Sequence, residues 1–370
     1  MRVAAVDCGT NSIRLLIADI DGGEPGTAPH LSGTTPGRPG TTAGRPGTAP
    51  NLSGTTPDRP GTTAGRPGTT AGRLVDVDRR LEIVRLGQDV DRTGRFAPEA
   101  LARTFAACRR YAALINTSGA ERVRFVATSA TRDAANRDEF VAGVREILGV
   151  QPEVISGEEE ARLSFTGATR ELAGQGFPTP YLVVDIGGGS TEFVLGGSDE
   201  SVAAGPQAAV SVDLGCVRLT ERCLPGDPPT EAEIADARAE VDRQLDKAAL
   251  TVPFEEARTL IGLAGTVTTV AAASLDLPAY DSNRLHHACI PASEVHAACG
   301  RLLAMDHDER RRLPYMHPGR VDVIGGGSLI LDRLVARIGR HLTRPEVVVS
   351  EHDILDGIAW SCVDAETLGS

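Results

Sequence analysis

The amino-acid sequence predicts an α/β protein made of two similar domains that face each other across a cleft. Its 370 residues are enough for two domains that each bury a core. The stronger observation is an internal duplication, in which an apolar run enters an Asp-x-Gly turn and a second apolar run returns. The turn begins at Asp7 in the first copy and at Asp185 in the second, 178 positions later, which is about the length of one domain.

Composition places the chain among ordinary globular proteins. Hydrophobic residues make up 41% and charged residues 24%, and no apolar run approaches the ~18 residues that a membrane span requires. The first apolar run is broken by Asp7 and is too short for a signal peptide. We therefore expect a cytoplasmic protein with no membrane partner. The formal net charge of −12 argues against nucleic acid as a partner.

The numbers and positions of the cysteines, histidines and lysine limit the kinds of site that the chain can contain. The seven cysteines are odd in number and contain no C-x-x-C pair, which predicts free thiols in a reducing compartment and no zinc site. His286 and His287 lie near Cys289, but no second pair at zinc spacing accompanies them, so we do not expect them to bind metal. Lysine occurs once, at Lys247, which excludes a Gly-Lys-Ser/Thr P-loop. Any cationic side chain that binds phosphate must therefore be an arginine.

The second copy of the duplicated motif contains more groups that could bind an anion or a cation. Three glycines, 187–189, allow positive φ angles and bring bare N–H groups close to an anion. Ser190 and Thr191 add hydroxyl donors, and Asp185 and Glu192 offer oxygen ligands to a hard cation. Such a turn suits a metal-bound phosphate. A plain glycine hairpin is the alternative for this stretch taken alone.

The first copy repeats the phrase with one change of charge. Gly9 and Ser12 stand at the positions of the first glycine and the serine of the second copy, and Arg14 stands at the position of Glu192. Two phosphate-binding hairpins on similar domains would face each other, with a phosphoanhydride between them.

A low-complexity tract, residues 22–73, follows the first hairpin. Residues 25–45 recur as 46–66 with two changes, and a partial third copy follows. These Pro-, Gly- and Thr-rich units offer almost nothing to bury and cannot offset the entropy of ordering. We predict a disordered insertion that leaves the fold unchanged, and a tandem duplication without function is the favoured interpretation.

The rest of the first half alternates strands and helices. A helix is predicted over 98–114, with Pro98 in its first turn, and strands over 123–127 and 153–155. Hydroxyls and Arg132 follow the first of these strands, where they point to a ligand or simply cap a helix. Ser156 and Glu159 predict a capping box at the next helix. The three glutamates at 158–160 are first interpreted as charges that complement the helix dipole, with a general base in the cleft as the alternative.

The second half follows the same alternation. Strand-to-helix transitions are predicted over 211–218 and 259–269, and a capping box of Thr230 and Glu233 begins a helix that ends near 250. The helix start at 265–269 could bind phosphate through its N–H groups or pack closely on its strand. Arg320 precedes a helix over 321–336, and the chain ends with a strand at 347–350 and a helix at 354–362.

Seven blocks in this order carry a resemblance to a known family: Asp7-x-Gly9-Thr-Asn-Ser12-x-Arg14, Ala127-Thr-Ser-Ala-x-Arg132-x-Ala-x-Asn136, Ile155-Ser-Gly-x-Glu159-Glu160-Ala-Arg162, Asp185-Ile-Gly-Gly-Gly-Ser-Thr-Glu192, Gly215-Cys-Val-Arg218-Leu-Thr, Gly262-Leu-Ala-Gly265-Thr and Ser350-Glu-x-Asp353-x-Leu-x-Gly357. The chain resembles the superfamily of sugar kinases, heat-shock chaperone ATPases and actin. Within it, the chain is similar to the exopolyphosphatase and guanosine-pentaphosphate phosphohydrolase (Ppx/GppA) family.

The resemblance implies two duplicated actin-like (ribonuclease H-like) domains, residues 1–165 and 166–352, and a C-terminal helix, 353–370, that packs back on the first domain. It implies a phosphoanhydride hydrolase that removes the terminal phosphate of inorganic polyphosphate with Mg²⁺. The same site could instead remove the 5′-phosphate of guanosine pentaphosphate. Longer family members carry C-terminal helical domains, so we do not expect processive work on long polymers.

The resemblance also assigns roles to residues. Glu160, which directly precedes Ala-Arg, is the expected catalytic base. Mg²⁺ is expected at Asp185 and Glu192, with Asp7 acting through water. The expected phosphate-binding residues are Gly9, Thr10, Asn11, Ser12, Arg14, Arg132, Gly187, Gly188, Gly189, Ser190, Thr191, Gly265, Thr266 and Arg320.

Other classes of function stay open at this point. A kinase would need a nucleoside pocket and an acceptor-facing aspartate, which no motif identifies. A non-catalytic nucleotide or polyphosphate sensor, or an actin-like assembly protein, would not need Glu160. A homodimer is also left open.

Overall fold

The computed structural model describes residues 1–21, 72–172, 175–198 and 201–367. Within the described residues, 1–20 and 74–367 form one compact unit. The predicted disordered insertion, 22–73, lies almost wholly outside the described residues, so that prediction stays untested. No helix in the described part of the chain is both long enough and apolar enough to cross a membrane.

The first half of the chain builds a five-stranded sheet in the order β3-β2-β1-β4-β5. Its strands are β1 (Arg2–Cys8), β2 (Ser12–Asp21), β3 (Arg73–Ile83), β4 (Arg122–Ala127) and β5 (Glu153–Val154). Its helices are α1 (Val90–Thr93), α2 (Pro98–Ser118), α3 (Ser129–Asp133), α4 (Arg137–Leu148) and α5 (Gly157–Thr169).

The second half builds a six-stranded sheet in the order β10-β11-β9-β6-β7-β8. Its strands are β6 (Tyr181–Ile186), β7 (Thr191–Ser198), β8 (Ser201–Val212), β9 (Thr259–Leu263), β10 (Cys289–Pro291) and β11 (Glu346–Val349). Its helices are α6 (Cys216–Cys223), α7 (Glu231–Ala249), α8 (Ala264–Ser274), α9 (Ser282–Leu285), α10 (Ala292–Ala304), α11 (His307–Arg311), α12 (Ile324–Ile338) and α13 (Ile354–Thr367).

The two sheets share one topology, which confirms the predicted duplication. In each, an antiparallel hairpin (β1–β2 or β6–β7) comes first. A later strand, β4 or β9, pairs in parallel with the first strand of that hairpin. The second sheet has β10 as an additional edge strand. The central strands are apolar up to the aspartates near their ends, because both of their faces are covered. Strand β1, for example, is buried from Val3 to Cys8.

Local signals place most element ends where the sequence predicts them. The capping box of Thr230 and Glu233 is formed at the start of α7. At α5 only half of the predicted box forms: the Ser156 hydroxyl accepts the N–H of Glu159, whereas the carboxylate of Glu159 is held by Arg162. Helix α2 runs one turn beyond the predicted end and stops at Gly119, which has φ 74°.

Helices α5 and α13 pack against each other between the two sheets. Helix α5 covers the second sheet, and Ile354, Ile358 and Trp360 of α13 pack on β1 of the first. A Cβ at Gly167 would lie 1.9 Å from the carbonyl oxygen of Asp353, so the two backbones touch at this point. Two site elements therefore meet here: the helix that begins near Glu160 and the turn before α13. The domain boundaries at 165 and 352 stay a prediction.

Candidate active site

A cavity of ≈ 110 Å³ lies between the two Asp-x-Gly turns. The first turn, the second turn, the start of α5, the start of α8 and the segment before α12 all contribute to its wall. The predicted site residues that line it are Asp7, Gly9, Thr10, Asn11, Ser12, Arg14, Glu160, Asp185, Gly187, Gly188, Gly189, Ser190, Glu192, Gly265, Thr266 and Arg320. Residues up to 313 positions apart in the chain are thus brought to one place.

Two predicted phosphate-binding side chains do not line this cavity. Thr191 is fully buried, and its hydroxyl donates to the carbonyl of Leu214, so it has no proton to offer a phosphate. Arg132 donates to Oε2 of Glu160 at 2.7 Å and to the carbonyl of Ile155 at 3.0 Å. In the structure, Thr191 supports the β6–β7 turn and Arg132 is the partner of the expected base. Phosphate binding by either residue stays a prediction.

The glycines of the second turn are required because other atoms lie too close to them for a side chain, and not because their backbone angles are unusual. None of the three at 187–189 has a positive φ, which corrects the prediction for them. A Cβ at Gly189 would instead lie 2.6 Å from the hydroxyl oxygens of both Thr10 and Ser129. The first and second turns therefore touch across the cavity, as two facing hairpins require.

Both turns close with the same hydrogen bond. The N–H of Gly9 donates to the carbonyl of Ser12 at 3.0 Å, and the N–H of Gly187 donates to the carbonyl of Ser190 at 3.0 Å. The equality of these bonds shows that the duplication extends to the geometry of the turns.

Neighbouring segments orient the peptide groups of the second turn. The carbonyls of Gly187 and Gly188 accept N–H groups from the start of α6, Cys216 and Val217. In a planar trans peptide the N–H points opposite to the carbonyl. The N–H groups of Gly188 and Gly189 consequently point away from α6, on the side of the cavity that these glycines line.

The first turn is anchored in a similar way by another segment. The carbonyl of Thr10 accepts the N–H of Gly87, and the carbonyl of Asn11 accepts those of Val84 and Arg85. The N–H groups of Asn11 and Ser12 are thereby directed away from that segment. Two sets of oriented backbone donors thus border one cavity, which is the arrangement that binds phosphate oxygens.

An ion-pair network fills the first hairpin. Asp7 and Arg14 are opposite residues of the β1–β2 pair, and the guanidinium contacts Oδ2 of Asp7 at 2.7 Å. The same guanidinium forms a short contact with Asp353, at the start of α13. Burial raises the pKa of Asp7, while the charge of Arg14 lowers it. Arg14 is therefore shared between two buried carboxylates.

The second hairpin has two carboxylates where the first has an ion pair. Asp185 and Glu192 are opposite residues of the β6–β7 pair. Ser164 donates to Asp185 at 2.8 Å, and Ser211 donates to Glu192 at 2.7 Å. Burial, with the negative charge of neighbouring carboxylates, raises the pKa of Asp185 to about 7 and the pKa of Glu192 well above its usual range. Among the described residues, neither carboxylate forms an ion pair, although the charge of Arg14 lowers the pKa of Asp185.

Only one of the three consecutive glutamates reaches the cavity. Glu158 is exposed and Glu159 pairs with Arg162, whereas Glu160 is buried and lines the cavity. Burial raises the pKa of Glu160 to about 7, against the lowering effect of Arg132. A carboxyl group with such a pKa can hold or release a proton near neutral pH.

The start of α8 and Arg320 complete the wall. Ala264 has φ 66°, a left-handed conformation that is uncommon for a residue with a side chain. The guanidinium of Arg320 lies against Gly265, where a Cβ would come within 2.4 Å of it, and it donates to the hydroxyl of Thr269 at 3.1 Å. A cation is thereby placed beside the first N–H groups of the helix.

Sequence reasoning did not assign several residues that support the site. Ser164 is one helical turn after Glu160, a spacing that places both on one face of α5. Asp353 lies in a motif that was noted without a role. Thr128, which hydrogen-bonds to Glu160, belongs to the hydroxyls noted after the strand over 123–127, but no role was given to it. Ser211 carries no signal beyond its position within a strand.

The oxygen donors of the second hairpin fit a magnesium ion held by few protein ligands. Asp185 and Glu192 are adjacent and buried, and in the described part of the chain neither forms an ion pair, which favours a divalent cation. In the described residues, however, the carboxylates of Asp7, Asp185 and Glu192 do not form a set with all oxygens within 4.8 Å. This agrees with the usual Mg²⁺ arrangement of one or two carboxylates, several waters and substrate phosphates.

The fold and the site together define a class: a duplicated α/β protein of the actin-like type with facing phosphate-binding turns and a buried glutamate. Comparison with known families identifies the family. Residues 68–362 match the Ppx/GppA phosphatase family. The chain belongs to this family and is an enzyme of the phosphoanhydride hydrolase class.

Individual relatives agree with this membership. The chain is 46% identical over 365 residues to Exopolyphosphatase 2 of Mycobacterium tuberculosis, covering 97% of this chain and 98% of that protein. Among solved structures, an exopolyphosphatase-like protein is 39% identical, with a TM-score of 0.82 over 99% of this chain and 100% of the other. The Aquifex aeolicus member of the Ppx/GppA family is 27% identical, with a TM-score of 0.69 over 99% of this chain and 98% of the other.

Proposed function

We propose that the protein is a Mg²⁺-dependent exopolyphosphatase that removes the terminal phosphate of inorganic polyphosphate. The observation that carries the proposal is Glu160: a buried carboxyl group with a pKa of about 7, in a cavity bordered by two turns with oriented N–H groups. The 46% identical Exopolyphosphatase 2 supports the choice of substrate. The cytoplasmic location and the homodimer stay predictions.

The proposed reaction is attack of water on the terminal phosphorus. Glu160 accepts the proton of the attacking water, the new P–O bond forms, and the bond to the bridging oxygen breaks. The shortened chain leaves with that oxygen. Arg132 holds Glu160 in place through the 2.7 Å contact. The N–H groups of both turns and Arg320 bind the phosphate oxygens, so positioning and charge neutralisation do most of the catalysis.

Mg²⁺ at Asp185 and Glu192, when bound, would neutralise charge on the anhydride oxygens. Its donors in the chain are the two carboxylates, which Ser164 and Ser211 orient by hydrogen bonds. Asp7 forms an ion pair with Arg14, which supports the prediction that Asp7 acts on the metal through a water molecule.

Glu160→Gln tests the base. The amide cannot take a proton from water, so we expect kcat to fall on the order of 10²–10⁴-fold. Phosphate release from polyphosphate of several lengths, guanosine pentaphosphate and ATP would be measured with Mg²⁺. Glu158→Gln is the matched control, because this exposed neighbour lies on the same helical turn and should keep full activity. Full activity of Glu160→Gln would refute the assignment.

A second cavity favours guanosine pentaphosphate as the alternative substrate at the same site. It measures ≈ 520 Å³ and adjoins the first at Arg14, Gly265 and Arg320. Tyr280 and Tyr315 in its wall offer aromatic faces to a nucleoside, which a simple phosphate chain does not need.

Tyr280→Ala separates the two substrates. If a nucleoside stacks on this ring, kcat/KM for guanosine pentaphosphate should fall about tenfold, a loss of ~1.4 kcal/mol within the usual range for base stacking. The value for polyphosphate should stay the same. Equal effects on both substrates, or none on either, would remove the support for the alternative.

A further inference from the structure

Two histidines and a glutamate meet at a place that the proposed reaction does not use. Glu171 follows α5, His286 follows α9, and His352 lies between β11 and α13. One ligand atom from each residue lies within 4.8 Å of the others, the only such set of three or more in the described part of the chain. None of the three lines either cavity described above.

The distances within the cluster suit a shared cation. Oε2 of Glu171 lies 3.5 Å from Nε2 of His286 and 3.2 Å from Nδ1 of His352. A direct charge-assisted hydrogen bond would be about 2.7–2.9 Å. Ligands at the ~2.0–2.1 Å typical of zinc stand roughly 3.3–3.4 Å apart at the corners of a tetrahedron. Both N···O distances are within about 0.3 Å of that spacing.

The neighbouring His287 supplies an independent observation. Its backbone is left-handed, with φ 60°, and its Nε2 is buried with no hydrogen-bond partner among the described residues. Its ring lies 3.7 Å from the ring of His286, which in turn lies 4.5 Å from the ring of His352. Strained residues and unsatisfied buried nitrogens concentrate at ligand sites. The ring of His287 lies on one side of His286, so the ring of His286 is held between those of His287 and His352.

We propose that Glu171, His286 and His352 bind a transition-metal ion of the zinc class, with water as the fourth ligand. Imidazole nitrogens favour such ions, whereas Mg²⁺ and Ca²⁺ favour an all-oxygen shell. The three side chains are 23–43% exposed, so an ion can enter from solvent. This site is distinct from the carboxylate pair of the β6–β7 hairpin in both place and chemistry.

Metal binding requires two local changes, one at each histidine. The N–H of Glu351 donates to Nδ1 of His286 at 3.2 Å, which leaves the ring proton on Nε2. When Nε2 binds the metal, the proton moves to Nδ1, and this long hydrogen bond is lost. Any proton on His352 is released to solvent. A metal–nitrogen bond outweighs a single long hydrogen bond of this kind.

The bound ion would connect three segments around the active site. Glu171 follows α5, the helix that carries Glu160, and His286 follows α9. His352 directly precedes Asp353, which pairs with Arg14. We therefore assign the ion a positioning role for α5 and the β11–α13 turn.

Zinc binding to the full-length, metal-stripped protein tests the proposal. Zn²⁺ would be titrated against a chromophoric chelator, and Co²⁺ would be added separately to report tetrahedral coordination by its absorption. We expect one tight equivalent, a rise in Tm with Zn²⁺, and no displacement by excess Mg²⁺. His352→Ala and Glu171→Gln should each weaken Zn²⁺ binding on the order of 100-fold. Loss of a residue that only hydrogen-bonds to a metal ligand costs about 10–100-fold, so loss of a ligand should reach at least the upper end of that range.

Matched controls distinguish this site from others. His296→Ala removes an imidazole that pairs with Asp332 at 2.7 Å and has no third ligand, so it should keep the tight site. Cys289→Ser removes an exposed thiol and should also keep it. If His352→Ala fails to fold, Glu171→Gln still tests the site, because Glu171 is exposed and its substitution should leave the fold intact. Absence of a tight equivalent in the wild type, or its survival in Glu171→Gln, would overturn the proposal, whatever the phosphatase activity.

Discussion

The two Asp-x-Gly hairpins share a backbone and differ in charge. Opposite the aspartate, the β1–β2 hairpin has Arg14, and the β6–β7 hairpin has Glu192. The first is neutralised within the protein by an ion pair, whereas the second presents two buried carboxylates with raised pKa values. One substituted position therefore separates a hairpin that supports the site from one that is suited to a metal ion.

The comparison also extends to the way in which each turn is anchored. The first turn is held by the segment from Val84 to Gly87, and the second by the start of α6. In both, carbonyls are bonded outward and N–H groups are left on the opposite side. The duplication has therefore preserved the presentation of donors while the supporting segments and the charges diverged.

Breaking the ion pair of the first hairpin should have the largest effect on stability. Arg14→Met leaves Asp7 and Asp353 buried without their countercharge, and loss of one partner of a buried pair costs about 3–5 kcal/mol. Chemical denaturation near neutral pH would measure the free energy of unfolding. Arg92→Met is the control, since its pair with Asp89 is exposed and worth at most about 1 kcal/mol. Similar losses in both variants would contradict the distinction.

Removing a carboxylate from the second hairpin should act on activity instead. Asp185→Asn should lower kcat/KM with Mg²⁺ on the order of 10²–10³-fold, because charge stabilisation by the metal is worth several kcal/mol. Its metal-free form should be at least as stable as the wild type, since a buried charge is gone. Asp213→Asn, at an exposed position nearby, serves as control. An unchanged Mg²⁺ requirement in Asp185→Asn would argue against this metal site.

The pH dependence of stability should report the same contrast. The native pKa of Asp185 is about 7, whereas an unfolded aspartate has a pKa of ~3.9. The native state therefore binds more protons between these values, and stability falls as pH rises through this window. Tm of the metal-free protein should decline from about pH 4 to about pH 7. Mg²⁺ should restore it above pH 7. Asp185→Asn should reduce the decline, and Glu160 and Glu192 should contribute the remainder because burial also raises their pKa values. A rise in Tm over the window would contradict the sign.

Much of the fold could be predicted because its signals are local. Apolar runs, Asp-x-Gly turns and the Thr230 capping box each depend on residues within about ten positions, and the duplicated topology followed from them. The residues alone indicated Asp185 and Glu192 as cation ligands, whereas the assignment of Glu160 as the base came from the family resemblance; both roles stay proposals. The helical spacing of Ser164 from Glu160 would have identified one further site residue.

Contacts between distant segments could not be predicted in this way. The contact of Arg132 with Glu160 was not predicted, because α3 and α5 are brought together by the first sheet. The same holds for His286 and His352, which are 66 positions apart and carry no zinc spacing.

By itself, the sequence determined the strands, the two turns and the opposite charges at Arg14 and Glu192, because short-range backbone preferences and strand pairing place these. Only the tertiary structure decided which carboxylates are buried together, which arginines are already paired, and that Glu171 meets two histidines. The reason is physical: the pKa and the partners of a side chain depend on the desolvation and charge that surround it, and those surroundings come from elements that pack together from distant parts of the chain.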